Sequence, residues 1–118
     1  MEKFVIHPGN GLNIPQEGDY VKLNLQLMDG GSGDVLFDSA LSDKKFAEIR
    51  FKTKESNMFQ QLEELIGEMS LFEKTSFELD KSCIPSVNSK QIKMLLEQYG
   101  KIIFTIEILD INKTPHLI

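Results

Sequence analysis

The stretch Lys101-Ile102-Ile103-Phe104-Thr105-Ile106-Glu107-Ile108-Leu109-Asp110-Ile111 decides the fold. Ile102, Phe104, Ile106 and Ile108 fall on one side of a period-two repeat, while Ile103, Thr105, Glu107 and Leu109 fall on the other. Alternation of this kind, rich in β-branched and aromatic residues, predicts a strand, the strongest in the chain. Directly before it, residues 89–99 place Ile92, Leu95, Leu96 and Tyr99 at i, i+3, i+4 and i+7, with Gly100 as a stop. That spacing predicts an amphipathic helix. Further back, Thr75, Phe77 and Leu79 alternate with Ser76 and Glu78, a second strand.

Upstream again, Ser56 offers an N-cap, and Met58, Phe59, Leu62, Leu65 and Ile66 follow at helical spacing until Gly67, read as a left-handed cap. Its apolar stripe needs a sheet to cover it. Ile49, Phe51 and Thr53 alternate with Glu48, Arg50 and Lys52, which predicts a strand over 48–53. Val35-Leu36-Phe37-Asp38-Ser39 is a short apolar run, and residues 29–34 are a turn by their Asp, Gly and Ser content. Val21, Leu23, Leu25 and Leu27 alternate with Lys22, Asn24 and Gln26, one face buried and one wet, as in an antiparallel sheet. Residues 2–7 read as a short edge strand ended by Pro8-Gly9-Asn10-Gly11. The order is four strands, a helix, a strand, a helix and a strand. Its simplest packing is α+β: one antiparallel half-barrel sheet wrapped on one helix.

A chain of 118 residues, 41% hydrophobic and 26% charged, suits one packed domain, taken as 1–112 with a short tail at 113–118. Its net charge of −5 and its scattered lysines argue against nucleic acid as a partner. The single cysteine, Cys83, forms no internal disulfide and has only Lys81 as a basic neighbour, so it reads as a neutral thiol. The first residues do not resemble a secretion signal, and no run reaches the ~20 apolar residues of a membrane span. The expectation is a cytoplasmic protein, compatible with a cytoskeletal or other large assembly, and with no membrane partner. His7 and His116 lack partners at metal-ligand spacing, and no phosphate loop, nucleophile motif or paired acid/base carboxylates stand out. No metal or cofactor is expected.

Several segments together resemble the FKBP-type prolyl isomerases. They are the Gly-Asn-Gly ending at Gly11, Gly18-Asp19, the Phe37-Asp38-Ser39 triplet, the strand Ile49-Arg50-Phe51, the helix from Met58 to Ser70, and Ile103-Phe104-Thr105-Ile106-Glu107-Ile108-Leu109. The helix follows the family's Val-Ile-x-Gly-Trp-Glu-x-x-Leu-x-x-Met pattern, and the last segment its Val-x-Phe-x-Val-Glu-Leu-Leu strand. The likeness runs from about residue 2 to 112.

Prolyl isomerisation needs no nucleophile, metal or base. Rotation about the peptide bond meets a barrier of about 18–20 kcal/mol, and a site helps by binding the twisted, desolvated amide better than either planar form. The resemblance implies an apolar pocket with aromatic walls and a few polar groups. Carried over by position, Phe37 and Asp38 match a wall phenylalanine and a carboxylate, and Phe104 a core-facing wall residue. Ile49, Met58 and Phe59 stand at other apolar pocket positions. The departures are heavier. A tyrosine of the second strand is replaced by Leu25, the floor tryptophan by Leu62, and the tyrosine that bonds the ligand falls near Pro85. The chain has no Trp at all, and of its two tyrosines Tyr20 points to the opposite strand face from Leu25, leaving Tyr99 as the replacement donor. An Ile-Pro-Pro loop before the last strand is absent, and the 89–99 helix takes its place, to plug the pocket mouth or to present a stripe to a partner.

Each candidate also has a plainer reading: Asp38 as a turn carboxylate, and Phe37, Phe104, Leu25 and Leu62 as core. The expectation is thus an FKBP-like domain with a degraded pocket, binding a protein partner or prolyl peptide with weak or no isomerase activity. Loss of the tryptophan floor argues against tight macrolide binding. The alternative is an active isomerase with an altered pocket.

Overall fold

The computed structural model describes residues 3–53 and 60–113. The strongly alternating segment forms the longest strand, β6 (Lys101–Asn112), and it lies in the middle of a six-stranded sheet. On one side it pairs with β5 (Lys74–Asp80), which pairs in turn with β1 (Lys3–His7) at the rim. On the other side it pairs with β2 (Tyr20–Asp29), and every pairing is antiparallel. The far edge of β2 is shared. β3 (Val35–Asp38) covers its C-terminal half through Gln26, Leu27 and Met28, and β4 (Ala47–Arg50) covers Tyr20 to Leu23.

Alternation along these strands builds one apolar face. Val21, Leu23, Ile49, Phe77, Leu79, Ile102, Phe104, Ile106 and Ile108 are all at most 5% exposed. Helix α1 (Gln60–Ile66) adds Leu62, Leu65 and Ile66 to this core, and α2 (Lys90–Tyr99) adds Ile92 and Leu96. The antiparallel sheet with its helices is the expected α+β arrangement, with a second helix sharing the core.

Two local expectations are corrected. The strand predicted over 48–53 begins one residue earlier, at Ala47, and stops at Arg50. Phe51 is buried on the face of Ile49 as the alternation required, at 2% exposure, but Lys52 adopts a left-handed φ of 54° and Thr53 N–H donates back to Arg50 O, which turns the chain out of the strand. Gly67 follows the last residue of α1, but it is not a left-handed cap: the glycines with positive φ are Gly11, Gly18, Gly33 and Gly100. The chain instead tightens, Glu68 N–H donating to Leu65 O and Met69 N–H to Ile66 O. Glycine is needed at 67 for space, since a Cβ there would stand 2.9 Å from Cζ of Phe51. Ser56, Met58 and Phe59, expected to open this helix, lie outside the described residues.

The second helix follows its sequence closely. Ser89 caps it, its hydroxyl accepting from Ile92 N–H at 3.3 Å. Gly100, at φ 81°, turns the chain straight from α2 into β6 with no loop between.

Candidate functional site

Cross-strand register sorts the candidate residues. One rung runs Phe37–Leu27–Phe104–Phe77–Lys3 across β3, β2, β6, β5 and β1, and it lies on the core face. Within it, the Phe77 and Phe104 rings stack with centroids 4.8 Å apart and planes 5° from parallel. Phe104 has no exposed surface, whereas Phe37, at the sheet edge, is 48% exposed. The next core-face rung is Leu25–Ile106–Thr75–Val5, with Leu25 half-buried against the core. Ile49 sits opposite Val21, and Leu62 comes from α1, both buried. The structure therefore brings Leu25, Phe37, Ile49, Leu62 and Phe104 to one face.

Asp38 is separated from them. As the strand neighbour of Phe37 it faces the other side, opposite Gln26 in the rung Asp38–Gln26–Thr105–Ser76–Phe4. Its carboxylate is engaged: Oδ1 accepts from Ala40 N–H at 2.9 Å, capping the 3₁₀ turn Ser39–Leu41, and Oδ2 accepts from Gln26 Nε2 at 3.3 Å. It borders a shallow outer groove of about 200 Å³ with Asn24, Gln26, Lys74, Thr105 and Glu107.

Pro85 is exposed within a 3₁₀ segment, Lys81–Ser86, that Asp80 caps by accepting from Ser82 N–H at 2.9 Å. Hydrogen bonds from the Ser82 hydroxyl and backbone hold the Asp80 carboxyl below its ordinary range, with smaller help from the Cys83 thiol and the Lys101 charge. Cys83 itself is half-buried. Tyr99 ends α2 and is half-buried against the core. Met58 and Phe59 lie outside the described residues.

Helix α2 packs on β6 and on the 3₁₀ segment before it, and its Ile92 and Leu96 join the core that holds Phe104. The loop ahead of it is tied to the start of α1: Gln60 N–H donates to Asn88 Oδ1 at 3.2 Å, and the Gln61 amide donates to Ser86 O. Phe104 is closed off and Phe37 remains reachable. Two residues of this neighbourhood escaped the sequence reading as site members. Phe77 was assigned only to a strand, although its alternation with Leu79 already placed it on a buried face. Ser39 is 2% exposed and its hydroxyl accepts from Leu25 N–H at 2.8 Å, a contact that no spacing rule foretells. Among the described residues no group of three or more His, Cys, Asp or Glu is placed to hold a metal, and no helix is long and apolar enough to cross a membrane.

Comparison with solved structures identifies this architecture as the FKBP-type fold. The chain superposes on FkpA from Escherichia coli with a TM-score of 0.63 and 16% identity, over 96% of this chain and 48% of that one. It superposes on part of the crystal structure of the three FKBP domains of wheat FKBP73 with a TM-score of 0.61 and 14% identity, over 92% of this chain and 43% of that one. The chain thus spans about half the length of the structures it resembles. No family model matches the sequence, and no curated protein matches it. At such identity the likeness is one of fold.

Proposed function

We propose that this FKBP-type domain binds a protein or prolyl peptide and has weak or no prolyl isomerase activity. The observation that carries the reading is the state of Phe104. A wall residue must present its ring to the substrate proline, and here the ring has no exposed surface and is stacked on Phe77. The chain also has no tryptophan to serve as a floor, and the carboxylate of Asp38 is turned to the other face and engaged. A site with one accessible aromatic, Phe37, retains a greasy contact but not an enclosure that would desolvate a twisted amide. Tight macrolide binding is not expected for the same reason.

The test is cis/trans exchange of a Leu-Pro peptide followed by NMR, with and without the folded domain. Exchange within about twofold of the uncatalysed rate supports the proposal. A rate raised a hundredfold or so, about 2.7 kcal/mol of barrier, sinks it.

The exposure of Phe37 favours one second reading, an active isomerase with a rearranged pocket in which Phe37 and Tyr99 contact the substrate. Under it Phe37→Ala slows catalysis while the fold, read by circular dichroism, stays intact. Unchanged turnover in that variant counts against it. A cytoplasmic location belongs to the same proposal, and imaging of the tagged protein in its native cell tests it.

A further inference from the structure

The sequence holds one Asn-Gly pair, Asn10-Gly11, in the break between β1 and β2. Asparagine before glycine is prone to spontaneous deamidation, because glycine has no side chain to shield its backbone nitrogen from the asparagine amide. Asn10 is exposed, and a Cβ at Gly11 would meet nothing within 4 Å, so neither burial nor crowding protects the pair. Hydrogen bonds hold it instead. The Gly11 N–H donates to Ser70 Oγ at 3.1 Å. Oδ1 of Asn10 accepts from Leu12 N–H at 2.9 Å and from Asn13 N–H at 3.1 Å. The flanking backbone is fastened on both sides, Asn10 N–H to Leu71 O and Leu71 N–H to Asn13 O, each at 2.8 Å. Both groups that would react are thus fixed against the turn that carries Ser70.

We propose that Asn10 is a modification site, a deamidation centre that the Ser70 contact holds closed and that reacts when this contact opens. In the reaction the Gly11 nitrogen gives up its proton and bonds to Cγ of Asn10. The side-chain nitrogen takes up a proton and departs as ammonia, leaving a five-membered imide. Water then opens either imide carbonyl, to aspartate or to isoaspartate, in which the backbone runs through the side-chain methylene. The bond to Ser70 fixes the peptide plane of Gly11 and the two bonds to Oδ1 fix the asparagine amide, so Cγ swings onto the nitrogen only once they break. The two products differ in their effect on the fold. Aspartate at position 10 keeps both acceptor roles and adds a charge that strengthens them. Isoaspartate lengthens the backbone by a methylene next to Gly9, where a Cβ would already stand 2.1 Å from Ser70 Oγ and 2.6 Å from Leu71 O. That product breaks the fastening behind β1 and loosens the strand, whose own residues are all exposed and whose partner among the described strands is β5. None of this depends on the pocket.

Peptide mapping by mass spectrometry of the 118-residue chain, incubated at mildly alkaline pH, reads the rate at Asn10 and the ratio of the two products. The folded chain should react at least about tenfold more slowly than the same chain held unfolded in guanidinium chloride, since reaction waits for local opening. Ser70→Ala removes one hydrogen bond of ordinary worth and should speed the folded chain about twofold to tenfold. Equal rates folded and unfolded, or no acceleration in Ser70→Ala, overturn the proposal. Amide hydrogen exchange separates local from global opening: in Ser70→Ala the Gly11 amide should lose protection while the Ile106 amide in β6 keeps it. Acceleration accompanied by lost protection at Ile106 assigns the reaction to global unfolding and counts against the Ser70 contact. A last readout needs no variant. In the aged chain, molecules carrying isoaspartate should exchange their β1 amides faster than unreacted ones, and equal exchange overturns the consequence drawn for β1.

Discussion

The hydroxyl of Ser39 stands in for a missing strand. Between the residues of β2 that β3 covers and those that β4 covers, Asn24 and Leu25 have no ladder partner on that edge among the described residues, and Ser39 takes the Leu25 N–H at 2.8 Å. Leaving a buried donor unsatisfied costs about 1–3 kcal/mol, so Ser39→Ala should lower unfolding free energy by that amount in urea titration, with the m-value unchanged. Asp38 beside it caps the 3₁₀ turn that brings Ser39 into place. The Phe-Asp-Ser triplet was visible in the sequence, but its work in splicing two strands onto one edge was not, because that work depends on where β4 begins. Acid provides a second residue-scale test. Hydrogen bonds from Gly31 N–H and Ser32 hold the Asp29 carboxyl below its ordinary range, as those from Ser82 do for Asp80. A carboxyl whose folded pKa is depressed contributes stability above its unfolded pKa and loses it as pH falls through the folded one. Stability should therefore decline as pH drops below the ordinary aspartate range, and Asp29→Asn with Asp80→Asn should flatten that part of the curve. An unchanged acid slope in the double variant would contradict the assignment.

At the scale of elements, two glycines that both follow helices do different work. Gly100 takes φ 81° to pass from α2 into β6, so Gly100→Ala should cost about 1 kcal/mol through backbone strain. Gly67 has no such φ, and the Cζ of Phe51 occupies its side-chain space. Gly67→Ala should cost about 1–3 kcal/mol by overpacking, and Phe51→Leu added to it should recover part of the loss, a non-additivity that thermal melts will show. A glycine after a helical stripe was legible in both places, but only tertiary packing distinguishes a turn requirement from a space requirement. The same limit hid the turn that joins Ser70 O to Glu73 N–H. Phe72 sits in it at φ 71° with 60% exposure, and no glycine or asparagine marked it. By contrast the helix over 89–99 was legible almost to the residue, because its cap, its stripe and its stop agree locally.

For the whole molecule, period-two patterning revealed β2, β5 and β6 and which side of each is buried, while the order β1-β5-β6-β2-β3 was beyond it. Alternation says which way a side chain points and nothing about which strand lies next door. For that reason the separation of Phe37 from Asp38 onto opposite faces was available from the sequence, whereas the stacking of Phe104 on Phe77 was not. That stack lies at the centre of the core, and Phe104→Ala should cost about 3–5 kcal/mol, enough to unfold a domain of marginal stability, as a denaturant midpoint will record. The central position of β6 has a further meaning when the chain is followed in time. A ribosome makes residues 101–112 after every other element, so while it works the β1–β5 pair and the β2–β3–β4 group exist with the seam between them unfilled. Both present raw apolar faces and open edges until residues 101–112 clear the exit tunnel. During synthesis the nascent domain thus exists as two halves awaiting one strand, and the interval before residues 101–112 emerge is when it most needs a chaperone.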